Sequence, residues 1–256
     1  MAYTIARSPT ADARATGRRV ILPVMRGVVG IWFPQTTAAH AVYNWCDGED
    51  AAEVAGSPTY GGGYFAVTDQ NARLQTAIAD QAALTFYVAA KSSSAFSAST
   101  SRPTIIGTYQ SQASGIAGAA IQVTGTPSAA PAATVVMTAA RDVGTVPTQS
   151  NASITVSDFS IPTLLVGACD NDTDTDARRI YDKTNGTSAV AGTAPATARL
   201  LSTGPNIRIG GITSLGYGQL TIYAAVVANV AHTAAEIEQN AIAIRRRLAA
   251  FHSITV

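Results

Sequence analysis

Short apolar or alternating runs recur along the chain from about Val28 onward, each bounded by Gly, Pro, Asn or Ser clusters. They read VVGIWF, GYFAVT, LTFYVAA, TIIGTY, GAAIQVTG, TVVMTAA, ASITV, TLLVGA, RRIYDKT, NIRIGG and LTIYAAVVA. In LTFYVAA, Leu84, Phe86 and Val88 share one face and Thr85 and Tyr87 the other, the period-two pattern of a half-buried strand. Roughly a dozen strands at such spacing predict a sandwich of antiparallel sheets. The period changes only at the C-terminal end. Thr233 followed three residues later by Glu236 forms a capping box, in which hydroxyl and carboxylate each satisfy an otherwise exposed backbone N–H. Ile237, Ala241, Ile244, Leu248 and Phe251 then recur at helical spacing, predicting a helix over about 234–250. Arg245, Arg246 and Arg247 fall in its last turns, where cations favour the negative end of the helix dipole, and read as a solvated helix end rather than a nucleic-acid patch.

Composition narrows the function classes. The 256 residues are 47% hydrophobic, enough for one large all-β domain or two smaller ones, and only 13% charged. Seventeen basic residues against sixteen acidic ones leave a net charge of +1, so no global field draws nucleic acid or an anionic membrane. Cys46 and Cys169, the only cysteines, exclude a disulfide scaffold and a four-cysteine zinc site, and read as buried free thiols. The apolar run VILPVM is stopped by Pro23 and Arg26, so neither a secretory signal nor a membrane span is expected. Residues 1–27, a mixture of Ala, Arg, Thr and Pro, read as an arm or attachment segment, with an extra edge strand as the alternative. Residues 28–256 read as the main domain.

The order of motifs in the last eighty or so residues resembles laminin-G-like domains of the concanavalin A-like lectin superfamily, in the versions found in bacteriophage and prophage tail proteins. The motifs are a strand pair carrying a ring-to-Asn-Gly turn at Tyr181 to Gly186, an RIGG strand at Arg208 to Gly211, and a strand leading into Thr233 to Ile237 at the start of the closing helix. Upstream, GSPTYGGGYFAVTDQNARLQT and ALTFYVAAK are similar to the family's early strands. The resemblance implies a concanavalin A-like jelly-roll sandwich of two antiparallel sheets with one C-terminal helix. It implies edge loops that bind sugars, proteins or calcium in some members, and it does not imply catalysis. It further implies a virion protein of the phage tail, made in the bacterial cytoplasm, with other tail proteins and a host surface glycan as partners. Tail components of this kind are expected to be homo-oligomers.

Asp170, Asp172, Asp174 and Asp176 alternate between TLLVGA and RRIYDKT, placing four of the sixteen acidic residues in one short connection. An extended backbone would aim the four carboxylates one way, which invites a cation. A calcium loop of the EF-hand type also needs Gly at its sixth position and Glu at its twelfth, where this chain has Thr175 and Tyr181. The stretch therefore reads as a solvated hairpin tip, no resident cofactor is expected, and a calcium site is the minor alternative. A sandwich glycosidase needs facing carboxylates, but Glu49, Glu53, Glu236 and Glu238 are the only glutamates and none lies in a Glu-x-Asp-x-Glu strand. Gly186 to Val190 starts like a nucleophile elbow without its closing Gly. Of the three histidines, His232 and His252 flank the helix and read as structural or solvent-facing, and His40 stands alone. A stand-alone carbohydrate-binding module is the alternative function, and a surface-polysaccharide hydrolase a weaker one. Sugar binding would use an aromatic platform in a loop, for which Tyr217 is the first candidate, with Trp45, Tyr60 and Tyr64 behind it. Trp32 reads as core.

Overall fold

The structure, a computed structural model, describes residues 20–69, 71–98, 101–112, 115–126, 131–142, 147–170, 178–191, 198–204, 206–211 and 219–256. In chain order its elements are β1 (Val28–Trp32), α1 (Ala38–Ala41), β2 (Glu53–Ala55), β3 (Thr59–Gly61), β4 (Tyr64–Val67), β5 (Arg73–Gln75) and β6 (Leu84–Lys91). There follow β7 (Thr104–Gly107), β8 (Gln110–Gln112), β9 (Gly115–Ala117), β10 (Ala119–Gly125), β11 (Ala133–Arg141), β12 (Thr148–Val156) and β13 (Thr163–Cys169). The chain closes with β14 (Arg178–Asp182), β15 (Thr187–Ala191), β16 (Arg208–Ile209), β17 (Leu220–Ala228) and α2 (Ala234–His252). Each of the eleven apolar runs picked out in the sequence contains a strand.

Two antiparallel sheets make the sandwich. The eight-stranded sheet runs β15-β14-β13-β6-β17-β4-β3, with β1 paired to the far half of β17. The seven-stranded sheet runs β12-β11-β10-β7-β16-β5-β2, and β8 and β9 form a separate hairpin. The fold is thus all-β with one long C-terminal helix, a jelly-roll sandwich as the motif order implied. The strand order interleaves early and late segments, with β17 between β6 and β4 and β16 between β7 and β5.

Alternation along the central strands serves two cores. Leu84, Phe86, Val88 and Ala90 of β6 enter the core between the sheets, together with Leu165 and Cys169 of β13 and Ala225 and Val227 of β17. The opposite positions, Tyr87 and Ala89, Leu164 and Val166, and Val226 and Ala228, enter a second core on the outer face of the eight-stranded sheet. That face is covered by α2 through Ile237, Ala241, Ile244 and Leu248, and by Val20 and Leu22 of the segment preceding β1. The expectation of half-buried strands is therefore corrected for β6: seven consecutive residues, Leu84 to Ala90, are buried because α2 roofs the second face.

The described part of the expected arm, residues 20–27, lies in this outer layer; residues 1–19 are outside the described residues. Asn240 of α2 grips the backbone of Val24 at both groups, accepting from its N–H at 2.9 Å and donating to its C=O at 2.9 Å. Arg26 donates to both carboxylate oxygens of Glu236 at 2.9 and 2.7 Å. The capping box at Thr233 and Glu236 forms as the sequence predicts. The arginine triplet departs from expectation. Only Arg246 is exposed; Arg245 donates to the Lys183 carbonyl at 2.9 Å, and Arg247 packs its guanidinium 4.7 Å from the Phe33 ring centre and 4.9 Å from that of Phe251. Burial holds the Arg247 pKa down to about 10. Both cysteine thiols are buried and unbridged.

Candidate functional site

A cavity of about 220 Å³ opens at one end of the sandwich, lined by Val29, Glu49, Asp50, Ala77, Ile78, Ala79, Gln81 and Asn229. Three segments meet there: the start of β1 beside the residue after β17, the turn before β2, and the loop between β5 and β6. The first wall is pinned by Asn44, which is 5% exposed. Its Oδ1 accepts from Ile31 N–H at 2.9 Å and Cys46 N–H at 3.0 Å, and its Nδ2 donates to the carbonyls of Val29 and Asp50, each at 3.2 Å. One buried amide thus sets the turn that carries Glu49 and Asp50 against β1. A buried polar group of this kind is stabilising because its donors and acceptors are matched.

The opposite wall is pinned in the same way. Thr76 donates from both its backbone N–H and its hydroxyl to the Ile207 carbonyl, at 3.0 and 2.8 Å, and its hydroxyl oxygen accepts from Ile78 N–H at 3.1 Å. Ile207 N–H returns a bond to Ile78 C=O at 2.8 Å. Asp80, buried beneath the loop, pairs with Arg199 and accepts from Ser202 N–H at 2.8 Å and Gln81 N–H at 3.1 Å. The loop that presents Ala77 to Gln81 is therefore anchored at Thr76, Ile78 and Asp80. Two rigid walls and a set of exposed polar side chains make a preformed recess, smaller than the roughly 300–1,000 Å³ of drug-sized sites.

The lining chemistry is one-sided. Glu49 and Asp50 are exposed carboxylates, Gln81 and Asn229 are exposed carboxamides, and Val29 and Ile78 are half-buried apolar side chains. Between Arg26 and Arg73 the chain has no lysine or arginine but five carboxylates, Asp47, Glu49, Asp50, Glu53 and Asp69. Burial pushes the nearby Cys46 thiol pKa up, and Glu49 adds to the shift. The recess offers acceptors to hydroxyl or ammonium donors, and amide groups that both donate and accept.

The sequence-chosen residues lie elsewhere. Trp45 is 6% exposed, with Tyr43 edge-on at 4.9 Å and the Arg247 guanidinium 5.7 Å from its ring centre, so it packs in the outer core. Tyr60 packs on the core between the sheets and burial raises its pKa, whereas Tyr64 packs on the outer core against Tyr223, their ring centres 6.0 Å apart. Trp45 and Tyr64 thus belong to the outer core and Tyr60 to the core between the sheets, so the three rings do not line one layer. Tyr217, Asp172, Asp174 and Asp176 fall outside the described residues. Asp170 directly follows β13, and its carbonyl accepts from Arg141 at 3.1 Å. Among the described residues, no three His, Cys, Asp or Glu side chains converge as metal ligands would. The Asn-Gly turn is built as its sequence suggests: the Asp182 carboxylate accepts from Thr184 N–H, Asn185 N–H and Asn185 Nδ2 at 2.9, 3.0 and 2.7 Å, and Gly186 takes φ +76°. Sequence reasoning missed Glu49, Asp50, Gln81 and Asn229. The available signal was the stretch CDGED, an acidic turn inside a segment without basic residues.

No family model matches the chain, and no curated protein matches it. Among solved structures it is similar to the receptor binding domain of botulinum neurotoxin C/D mosaic serotype, at 10% identity and TM-score 0.54 over 84% of this chain and 50% of that one. It is similar to the botulinum neurotoxin serotype D ligand binding domain in complex with N-acetylneuraminic acid, at 11% identity and TM-score 0.50 over 84% of this chain and 50% of that one. A mutant of Trypanosoma rangeli sialidase displaying trans-sialidase activity matches at 11% identity and TM-score 0.52 over 83% of this chain and 32% of that one. The chain spans about half the length of the neurotoxin domains it matches. Likeness at this identity establishes the fold alone: a jelly-roll β-sandwich.

Proposed function

We propose that this chain is a non-catalytic, lectin-like binding module that takes a surface glycan in the recess at the loop end of its sandwich. The observation that carries this reading is the recess itself, with its polar rim of Glu49, Asp50, Gln81 and Asn229 held by the buried side chains of Asn44, Thr76 and Asp80. Sugar hydroxyls need paired donors and acceptors in fixed places, and this rim supplies them beside the apolar surface of Val29 and Ile78. The named neighbours support it, being a receptor binding domain and a ligand binding domain in complex with N-acetylneuraminic acid. Glu49 and Asp50 are consecutive in one turn, whereas a hydrolase needs carboxylates flanking the scissile bond. The order of motifs from Tyr181 to Ile237 supports a finer reading: a structural component of a phage or prophage tail, acting as a homo-oligomer with other tail proteins and facing a host glycan. A glycan array with and without calcium, comparing the native chain with the Glu49→Gln/Asp50→Asn variant, tests the site. Saturable binding weakened in the variant supports it; binding of unchanged affinity in the variant, or lost on chelation alone, overturns it.

A further inference from the structure

We infer that the recess selects an uncharged or amine-bearing saccharide and rejects sialic acid, an inference that rests on the glycan-binding reading above. Its side chains bring two carboxylates and two carboxamides to a space of about 220 Å³, and no lysine, arginine or histidine is among them. A carboxylate-bearing sugar is ordinarily held by a bidentate guanidinium or by convergent backbone N–H groups. The guanidiniums of the surrounding segments have other partners: Arg26 is bound to Glu236, Arg199 to Asp80, and Arg73 donates to the Asn71 carbonyl at 3.1 Å. A sialic acid carboxylate in this recess would therefore meet Glu49 and Asp50 with no compensating charge, and like charges across an interface are strongly selected against. Neutral sugar hydroxyls meet the opposite situation, since an ionised carboxylate accepts from two neighbouring hydroxyls, and hydrogen bonds to a charged acceptor are the stronger kind. An ammonium gains further, as both carboxylates attract it. A metal ion is the other occupant two carboxylates suggest, but no third His, Cys, Asp or Glu side chain joins them among the described residues.

The test is an array bearing neutral, amine-bearing and sialylated glycans, followed by titration calorimetry with N-acetylglucosamine, glucosamine and N-acetylneuraminic acid displayed on the same carrier. The expected result is retention of neutral and amine-bearing glycans, with sialylated ones weaker by about tenfold or more. The Glu49→Gln/Asp50→Asn variant, whose exposed positions keep the fold intact, is expected to lose the preference for glucosamine and to narrow the gap to sialic acid. Sialylated glycans bound as tightly as neutral ones, or a preference that survives the double substitution, would overturn the selectivity and leave the glycan-binding reading standing. Failure of every glycan class to bind would overturn both.

Discussion

His232 has no solvent exposure and sits where the N-terminal segment, the eight-stranded sheet and the helix cap meet. The orientation of its proton can be derived. The Arg26 carbonyl, 2.8 Å from Nε2, can only accept, so Nε2 carries the proton and donates to it. Nδ1 of the neutral ring is then the acceptor, and the Tyr87 hydroxyl donates to it at 2.7 Å. The ring is neutral, and burial lowers its pKa despite the Arg26 carbonyl and the Glu236 carboxylate nearby; Arg179, whose guanidinium donates to the His232 carbonyl at 3.0 Å, adds no negative charge. Because the folded-state pKa lies below the unfolded value, the stabilisation is complete above about pH 6.5 and is lost as pH falls, at up to about 1.4 kcal/mol per pH unit for one proton. Urea midpoints between pH 7.5 and 5 check this, and the His232→Gln variant is expected to flatten the slope. His252, whose pKa burial also lowers, contributes a parallel term that His252→Gln removes separately. A second residue-scale prediction concerns Gly107, at φ +143°, where a Cβ would lie 2.2 Å from the Ala119 carbonyl oxygen. Backbone cannot yield as a side-chain tip can, so Gly107→Ala is expected to cost about 3 kcal/mol in chemical denaturation. Neither effect is legible in the sequence: a lone histidine before a helix and a glycine in TIIGTY acquire their roles only from partners more than ten residues away.

Helix α2 was the most legible element, because its boundary and its face are encoded locally. Thr233 accepts from Glu236 N–H at 3.3 Å and the Glu236 carboxylate accepts from Thr233 N–H at 2.8 Å, the two bonds that a Thr-x-x-Glu sequence specifies. Thr233→Ala is expected to cost about 1 kcal/mol, read as a lowered thermal midpoint. Glu236 is held down to about 2 by the Arg26 hydrogen bonds first and the Thr233 backbone next. Its contribution is present above the ordinary glutamate range and lost as pH falls toward 2; at this exposed site it amounts to less than about 1 kcal/mol. The long strands were legible for the same local reason, a full period of alternation. Strands β2, β3 and β5 were not, since three residues such as Glu53–Ala55 carry too little pattern and are placed by pairing with another strand. The layer that covers a strand is equally invisible locally. Leu84 to Ala90 read as half-buried because nothing in LTFYVAA announces α2 lying across it. Arg247 read as solvated because Phe33 and Trp45 lie some two hundred residues upstream, and the recess escaped notice because Val29, Glu49, Asp50, the loop at 77–81 and Asn229 are brought together only by the fold.

At the scale of the whole molecule, the sandwich carries two cores, and the outer one is closed by chain ends. Residues 20–27 bury Val20 and Leu22, occupy both polar groups of Asn240 through Val24, and satisfy His232 through the Arg26 carbonyl. Burial of two aliphatic side chains contributes roughly 1.5–3 kcal/mol each. The bonds to Asn240 and His232 matter mainly because their loss leaves buried polar groups unmatched, at about 1–3 kcal/mol apiece. A chain beginning at Val28 is therefore expected to be less stable than one beginning at Val20, with a thermal midpoint lower by roughly 10 °C or more, measurable by calorimetry. This separation bears on the attachment role that the sequence suggests for residues 1–27. Loss of particle assembly on deleting all of 1–27 would mix a binding defect with an opened outer core, since Asn240 and His232 would lose their backbone partners at Val24 and Arg26. Deleting residues 1–19 alone leaves the strap at 20–27 in place. If the attachment function lies in the arm, that shorter deletion is expected to abolish assembly while preserving the thermal midpoint and glycan binding. Assembly that survives it, but fails when 20–27 are also removed, would instead assign those residues a structural role in closing the outer core.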